Sequence, residues 1–289
     1  MSTADTPSTE QVKERVRQIW TDAQTVALWR KWRPEFAAQT QPLTAVLVQA
    51  AQLSPGMQVL DLASGAGEPA FTLAHVVGPH GHVTASDVSP GMVAIMEEYA
   101  REHGLTNLTC RQADAHALPF PDQSFDVVTC RLGVMFFANV AQALREIWRV
   151  LTPGGRTAFL VWGPQSEQAR YASTYGVVLR YVDVPPPAPD EPTPYAFAQP
   201  GTLAAALRDA GFQRVDEVSH RLVLPWPGSP EEFCAHVCDF SEPFHRALES
   251  LSLQQRTRVT EEVHTALRHY YDGQRVNLPA TVHVATGVR

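Results

Sequence analysis

The sequence predicts an α/β fold, in which a parallel β-sheet carries helices on both of its faces. Between residues 57 and 163, short apolar and β-branched runs alternate with helical stretches, which is the pattern of βαβ units. Two of these runs, FDVVTC and AFLVW, are apolar almost throughout. Such continuity is typical of parallel strands that are buried on both faces.

Composition and charge narrow the class of protein. The chain has 289 residues, of which 44% are hydrophobic, and a formal net charge of −7. It therefore lacks a basic footprint for nucleic acid or an anionic membrane. We see no apolar stretch of a membrane span's length and no signal-peptide pattern in MSTADTPSTE. We expect a cytoplasmic monomer or homodimer with reduced thiols and no metal site, since the cysteine spacing is not that of a zinc site.

The N-terminal segment, residues 1–53, is predicted to be helical and to form a lid. Ser8 and Gln11 have the spacing of a capping box, which begins a first helix. Pro34 is expected to stop a second helix. The predicted helices, in order, cover residues 9–20, 22–32 and 42–52.

The rest of the chain divides into core and cap segments. Residues 54–163 form the core, with the strands MQVLDLA, HVTASDV, LTCRQADA, FDVVTCRLG and RTAFLVWG. The helices between these strands are expected at 69–77, 90–103 and 138–151. Residues 164–200, with the proline-rich loop VPPPAPDEPTP, form a cap insertion. The core continues at residues 201–228, which contain a sixth strand. A second, helical cap insertion follows at 229–273, and the last core strand is expected at 274–289.

The loop after the first strand, VLDLASGAGEP, raises the question of the ligand. Gly65, Gly67 and Ala70 have the G-x-G-x-x-[GA] spacing of dinucleotide-binding loops. A pyrophosphate would sit on the N-terminus of the next helix, where free N–H groups attract anions. Glu68 places a negative charge there and Pro69 removes a donor. The loop is therefore a poor phosphate site.

Residues at the ends of the next strands favour an adenosine. Asp87 ends the second strand, where a carboxylate accepts hydrogen bonds from ribose hydroxyls. Asp114 follows the third strand and is placed for the adenine amine, while Val88 and Met92 offer apolar surfaces to the ring. Asp61 adds a carboxylate that suits a cation. S-adenosylmethionine (SAM) combines adenosine, sulfonium and ammonium groups without a phosphate.

Four segments then identify a family resemblance. VLDLASGAGEPAF, ASDVSPGMV, RQADAHALPFPDQSFDVVTCRLGVMFF and ALREIWRVLTPGGRTAFLVWG resemble successive motifs of class I SAM-dependent methyltransferases. They are most similar to the small-molecule group related to ubiquinone/menaquinone-biosynthesis methyltransferases. The resemblance implies a Rossmann-like, seven-stranded, mostly parallel sheet whose last strand is antiparallel.

The resemblance also implies roles for residues in the donor site. Asp61 would lie near the methionine part of SAM, Asp87 would hold the ribose, and Arg131 would lie near the donor beyond strand four. Ala63 departs from the family's usual glycine and would be tolerated only if its φ is negative. The predicted cofactor-binding residues are Asp61, Ala63, Ser64, Gly65, Gly67, Asp87, Val88, Met92, Asp114, Ala115 and Arg131.

The acceptor site is predicted from aromatic residues of the helical cover. Trp29 and Trp32 are three residues apart and share a helix face, and an aromatic N-terminal helix would close over SAM. Core packing explains the same residues equally well. The candidate substrate or lid residues are Trp20, Trp29, Trp32, Tyr171, Tyr175 and Phe240. No residue is assigned as a catalytic base.

These observations predict a SAM-dependent methyltransferase of a small, apolar or aromatic acceptor, with O-, C- and N-transfer all open. Catalysis is expected to come mainly from alignment of the nucleophile with the methyl group, and S-adenosylhomocysteine is the second product. Three alternatives stay open: a thiol-dependent arsenite methyltransferase, an NAD(P)-dependent oxidoreductase, and a non-catalytic SAM-binding protein.

Overall fold

A computed structural model of the chain describes residues 8–183 and 192–289. The first seven residues and most of the predicted proline-rich loop lie outside the described residues. The strands are β1 (Gln58–Leu62), β2 (His82–Asp87), β3 (Leu108–Gln112), β4 (Phe125–Arg131), β5 (Leu151–Trp162), β6 (Gln213–Pro227) and β7 (Arg275–Val288). The helices are α1 (Thr9–Thr21), α2 (Ala23–Ala51), α3 (Ala70–Val77), α4 (Pro90–Glu102), α5 (Val140–Val150), α6 (Ala169–Ser173), α7 (Tyr175–Val178), α8 (Thr202–Asp209), α9 (Pro230–Phe240), α10 (Glu242–Glu249) and α11 (Leu253–Arg268).

The strands form one seven-stranded sheet in the order β3-β2-β1-β4-β5-β7-β6. Strands β1 to β5 pair in parallel, and β7 runs antiparallel to both β5 and β6. This confirms the predicted sheet with its antiparallel last strand. The strand order reverses between β1 and β4, and a ligand of an open α/β sheet binds beyond the carboxyl ends of the strands at such a point.

Successive residues of the central strands face two different cores, as the period of a strand requires. Val59 and Val127 pack with residues of α2, α3 and α4 on one face. Leu60 and Val128 pack with residues of α5 and α8 on the other face. Apolar residues therefore occupy consecutive positions because both sheet faces are covered by helices.

A third core lies in the cap, beyond the end of the sheet. The long strands β6 and β7 continue past their neighbours, and Trp226 pairs with Val276 near their far ends. Both residues pack with apolar residues of α7, α9, α10 and α11. Within the part of the chain that the structure describes, no helix has the length and apolarity to cross a membrane.

The predicted stop of the second helix at Pro34 was wrong. Helix α2 runs without interruption from Ala23 to Ala51 and contains Pro34 and Pro42. Proline removes a helical hydrogen bond, but tertiary contacts on both sides of Pro34 offset the loss: Trp32 packs on Trp226, and Phe36 packs on Phe240. Helix α10 lies within the predicted helical insertion at 229–273, but it was not predicted as a separate helix.

Candidate active site

A cavity of about 390 Å³ lies beyond the carboxyl ends of β1 to β4. The loops after these strands supply its floor, and residues of α1 and α2 cover it. Of the predicted residues, the lining includes Trp20, Trp29, Ala63, Ser64, Gly65, Asp87, Val88, Met92, Asp114, Ala115 and Arg131. Four strand ends thus bring together residues that are far apart in the sequence.

The loop after β1 differs from its prediction at two positions. Ala63 has a φ of 51°, so the expectation of a negative φ was wrong and the alanine adopts a strained left-handed conformation. Gly67 does not line the cavity. A Cβ atom there would lie 1.9 Å from the Phe71 ring, so this glycine makes room for Phe71. Gly65 does line the cavity, and the Trp29 ring covers it.

Asp87 is held in place by backbone groups of two loops. Its Oδ2 accepts a hydrogen bond from the Gly65 N–H at 2.9 Å, and its Oδ1 accepts one from the Ser89 N–H at 2.9 Å. Burial raises the pKa of Asp87, while these backbone hydrogen bonds lower it. Each carboxylate oxygen keeps a further lone pair, so the group can accept hydrogen bonds from a diol in the cavity.

Asp114 lies at the β3 side of the cavity and is oriented by His116. The Asn139 N–H donates to His116 Nε2 at 3.1 Å. The imidazole proton is therefore on Nδ1, which donates to Asp114 Oδ1 at 2.6 Å. This hydrogen bond is the main cause that lowers the pKa of Asp114. Asp114 Oδ2 remains available as an acceptor for an amine.

Two carboxylates give the β1 end of the cavity a negative character. Asp61 is fully buried just behind the lining, and its Oδ1 accepts a hydrogen bond from Thr129 at 2.6 Å. Its Oδ2 is buried and has no hydrogen-bond partner among the described residues. Burial raises the pKa of Asp61 to about 6. Glu68 lines the cavity and accepts a hydrogen bond from Thr72. The two carboxylates make this end of the cavity electronegative.

Arg131 connects the sheet to the helical cover. Its Nη1 donates to Thr44 Oγ1 at 2.7 Å and to both oxygens of Thr40, all on α2. Its Nη2 donates to the Glu68 carbonyl at 2.8 Å. Burial lowers the pKa of Arg131, while Glu68 and Asp61 raise it. The guanidinium therefore holds α2 against the β1 loop.

Aromatic rings form the cover of the cavity. Trp20 of α1 packs on Trp29 at 6.2 Å between ring centroids and on Phe136 at 5.5 Å. Trp29 packs edge-on against Phe36 at 5.0 Å. All four rings line the cavity. The cover is therefore apolar where it faces the carboxyl end of β4.

Four of the predicted substrate or lid residues lie outside the cavity lining. The Trp32 indole donates to Asp239 at 2.7 Å and packs on Trp226 in the cap. Phe240 packs edge-on against Trp29 and stacks on Phe36. The two remaining residues, Tyr171 and Tyr175, pack on each other in the cap. Helical spacing did not show that Trp29 lines the cavity while Trp32 contacts the cap, because one face of α2 packs against both.

Sequence reasoning missed several lining residues. Helix α1 contributes polar residues at helical spacing, and the segment after β4 contributes apolar ones. The lining residues that were not predicted, including those of other segments, are Glu10, Lys13, Glu14, Val16, Arg17, Phe36, Leu62, Ser86, Ala113, His116, Leu132, Gly133, Phe136, Phe137 and Ala138. Glu68 also lines the cavity, and the sequence had indicated it only as a charge that disfavours phosphate. A polar helix face normally indicates solvent, so no sequence signal identified the α1 residues.

The thiols do not support arsenite chemistry. All four cysteines are free. Cys130 is buried within β4, and burial raises the pKa of its thiol. Burial also raises the pKa of Cys110, on β3, to about 11. Neither thiol lines the cavity, and both are poor nucleophiles because they stay protonated.

Comparisons with known proteins agree with this geometry. A family model described as a methyltransferase domain matches residues 53–170. The ubiquinone/menaquinone biosynthesis C-methyltransferase UbiE of Shewanella sediminis is 38% identical over 125 residues, which are 43% of this chain and 50% of that protein. The chain thus spans about half the length of the curated relatives it matches.

Solved structures extend the likeness of the fold beyond the matched domain. The YcgJ protein of Bacillus subtilis is 19% identical with a TM-score of 0.53, over 86% of this chain and 98% of that chain. The [4+2]-cyclase SpnF is also 19% identical with a TM-score of 0.53, over 97% and 96%. At this identity the likeness concerns the fold alone.

The fold, the cavity and the matched family model define the class of the domain. Residues 53–170 are a class I methyltransferase domain, whose methyl donor is SAM. The domain resembles those of ubiquinone-biosynthesis enzymes, and these relatives do not support the arsenite alternative.

Proposed function

We propose that the protein transfers the methyl group of SAM to a small, apolar or aromatic acceptor. The observation that carries this proposal is the setting of Asp87. Two backbone N–H groups hold its carboxylate oxygens at the edge of the cavity, so that each oxygen presents a lone pair for a ribose hydroxyl. The carboxylates of Asp61 and Glu68 at the β1 end of the cavity disfavour a pyrophosphate there.

The residues around the cavity have distinct tasks in this proposal. Asp61 and Glu68 would attract the ammonium group, and Asp114 Oδ2 would accept from the adenine amine. Val88 and Met92 would pack on the adenine ring. When bound, SAM supplies a methyl group activated by its sulfonium. Trp20 and Trp29 would then exclude water, and holding the acceptor in line with the methyl group can contribute about 7–11 kcal/mol to the rate.

The lining offers no free imidazole for base catalysis. His116 is the one histidine among the described lining residues, and both of its ring nitrogens are already hydrogen-bonded. Because the donor is activated, an acceptor that is already nucleophilic needs no base for the transfer itself. We therefore propose catalysis by alignment, without a general base from this lining. The new bond to the methyl group forms as the bond between sulfur and methyl breaks, and a proton displaced from the acceptor is lost to water after transfer.

The acceptor is proposed to approach from the β4 side. The ends of β1, β2 and β3 are assigned to the donor, which leaves the aromatic surface of Trp20, Phe36 and Phe136 for the acceptor. An apolar, planar molecule suits such a surface. Among the three open reactions, the similarity to C-methyltransferases of quinone biosynthesis favours methylation of a ring carbon.

Calorimetry with SAM, S-adenosylhomocysteine and NADH tests the donor assignment. We expect SAM and S-adenosylhomocysteine to bind and NADH not to bind. Asp87→Ala should weaken binding by about 100-fold or more, since each hydrogen bond to a charged group contributes about 1.5–3 kcal/mol. Asp216→Ala, at an exposed acid of β6, is the matched control. Unchanged affinity in Asp87→Ala would overturn the ribose assignment.

The acceptor is then found by transfer itself. A panel of quinols, phenols, amines and thiols is incubated with methyl-labelled SAM, and the mass and fragmentation of each product locate the new methyl group. Ring-carbon methylation of a quinol or phenol is the expected result. Transfer only to thiols or aliphatic amines would contradict an aromatic acceptor.

A further inference from the structure

His116 holds the Asp114 carboxylate by one of its two oxygens. Asp114 Oδ1 accepts a hydrogen bond from the His116 backbone N–H at 2.9 Å and another from His116 Nδ1 at 2.6 Å. These two donors occupy both lone pairs of that oxygen. Oδ2 accepts no hydrogen bond from any described residue, and both residues line the cavity. Asp114 therefore offers a ligand one acceptor oxygen with a defined direction.

The two side chains differ in burial. The Asp114 side chain is 48% exposed, whereas that of His116 is 8% exposed. The His116 ring also packs edge-on against Phe137 at 5.8 Å between ring centroids, and Phe137 lines the cavity as well. A buried ring thus orients a carboxylate that solvent reaches. Without this ring, water would compete for both Asp114 oxygens.

The N-terminus of α5 fixes the position and the tautomer of His116. Asn139, the N-cap of α5, donates its backbone N–H to His116 Nε2, and the Gln142 side chain donates to the His116 carbonyl at 2.9 Å. The opposite tautomer would set an Nε2 proton against the Asn139 N–H. It would also set the Nδ1 lone pair against the Asp114 carboxylate. Both contacts would be repulsive, so the partners of the ring keep its proton on Nδ1.

The same network extends to α1 in the cover. Lys13 Nζ donates to Gln142 Oε1 at 3.4 Å, and Lys13 lines the cavity. The hydrogen bond from His116 has the largest effect on the pKa of Asp114, which it lowers, and the Lys13 charge lowers that pKa by a smaller amount. Asp114 is therefore an ionised acceptor at neutral pH. Such a group binds a ring edge that presents an N–H donor and repels one that presents a carbonyl oxygen.

We propose that His116 is a positioning residue through which Asp114 selects a purine that carries an exocyclic amine. The inference rests on the proposed function, which places adenine beside Asp114, and it adds the group that makes this contact selective. His116 acts through the carboxylate and lies at the β3 side of the cavity, away from the β4 side assigned to the acceptor. Its loss should therefore weaken donor binding and leave the rate of the methyl step with saturating SAM nearly unchanged.

Calorimetry with two ligands tests the selection. The ligands are S-adenosylhomocysteine and its analogue with an unsubstituted purine, which lacks only the exocyclic amine. We expect the wild-type protein to bind S-adenosylhomocysteine about tenfold or more tightly than the analogue. Asp114→Ala should remove most of this preference. Equal binding of the two ligands by the wild-type protein would refute the adenine contact of Asp114 and this inference with it.

Two substitutions of His116 separate its hydrogen bond from its packing. Asparagine carries an N–H donor at the same number of bonds from Cβ as histidine Nδ1, whereas phenylalanine keeps a ring without a donor. His116→Asn should retain most of the preference, and His116→Phe should lose it. His75→Phe, at an exposed histidine of α3, is the matched control and should retain it fully. In Asp114→Ala, the further change His116→Phe should have no effect on the preference.

The outcomes separate this inference from the proposed function. A preference that survives in His116→Phe, or that is lost equally in both His116 variants, overturns the positioning role. Nitrogen-15 shifts of the imidazole in the wild-type protein, assigned with His116→Asn, should place the proton on Nδ1, and a proton on Nε2 would also overturn it. A preserved preference without methyl transfer to any acceptor refutes the proposed function alone.

Discussion

The floor of the cavity and its cover are stabilised in different ways. On the floor, backbone N–H groups of Gly65 and Ser89 hold Asp87, and their partners lie within 22 residues along the chain. In the cover, Trp20 contacts Phe136, and Arg131 contacts Thr40 and Thr44 across much longer separations. The floor therefore depends on local loops, while the cover depends on the assembled tertiary structure.

This difference has a consequence for mutation. Changes in the floor should mainly alter ligand affinity, because the strands that hold it are stabilised by two cores. Floor changes that remove a buried charge or backbone strain should alter folding stability as well. Changes at the junction of floor and cover should alter both, because Arg131 contacts both parts. Changes in the cover alone should spare folding.

The largest effect is expected at this junction. Arg131→Ala leaves the Glu68 carbonyl and two threonine hydroxyls of α2 without their donor. Buried groups without partners cost about 1–3 kcal/mol each, so we expect the free energy of unfolding to fall by about 3 kcal/mol or more in urea titrations. Arg145→Ala, at an exposed arginine of α5, should change it little. An equally small change in Arg131→Ala would show that the hydrogen bonds of Arg131 do not stabilise the fold.

Asp61→Asn tests whether the buried charge of Asp61 lowers folding stability while it raises the affinity for the ligand. The pKa of Asp61 is about 6 in the folded chain against 3.8 for a free side chain. Between these values the unfolded chain has lost the proton that the folded chain keeps, so its ionisation lowers stability as pH rises from about 4 to 6. The loss is then constant above pH 6, at about 3 kcal/mol or less.

Removing this charge should raise folding stability and weaken ligand binding. We expect Asp61→Asn to raise the free energy of unfolding at pH 7.5 by about 1–3 kcal/mol and to flatten its fall between pH 4 and 6. The same variant should bind S-adenosylhomocysteine about tenfold more weakly, because the ammonium loses a carboxylate. Urea titrations across this pH range and calorimetry check the two parts. A less stable variant with unchanged pH dependence would contradict the burial argument.

Trp20→Ala probes the cover. The indole lines the cavity and contacts Trp29 and Phe136, so its loss should admit water and lower turnover and donor affinity by roughly tenfold. The neighbouring Ile19 is 55% exposed, and Ile19→Ala is the control on the same helix. Thermal unfolding should be similar in both variants. Equal donor affinities in the two variants would mean that α1 does not act as a cover.

The smallest effect concerns the strained alanine. Ala63 has a φ of 51°, which costs an alanine about 1 kcal/mol or more. Ala63→Gly should relieve this strain and raise the free energy of unfolding by up to about 1 kcal/mol. Ala205→Gly, on the exposed face of α8, should instead destabilise by a similar amount. Destabilisation by both variants would contradict the strain assigned to Ala63.

The sequence predicted the fold and much of the floor from short-range signals. Asp87 and Asp114 each follow a strand whose neighbours in the sheet are determined by the βαβ order, so their convergence could be expected. The sequence could not distinguish Gly65, which faces the cavity, from Gly67, which makes room for Phe71. Both glycines have positive φ, and only the positions of surrounding side chains separate their roles.

The cover was predictable only in outline. A helical N-terminus and a tryptophan at position 20 were visible in the sequence, but the polar face of α1 and the continuity of α2 through Pro34 were not. Proline has an unfavourable local effect on a helix, and contacts made far along the chain outweigh it here.

By itself, then, the sequence determined the alternation of strands and helices, the acids at the strand ends and the nature of the donor that they suit. These features depend on the period of each element and on loops of a few residues. The tertiary structure alone decided which aromatic rings enclose the cavity and why Arg131 is buried. Packing between distant segments sets these environments, and no local pattern records it.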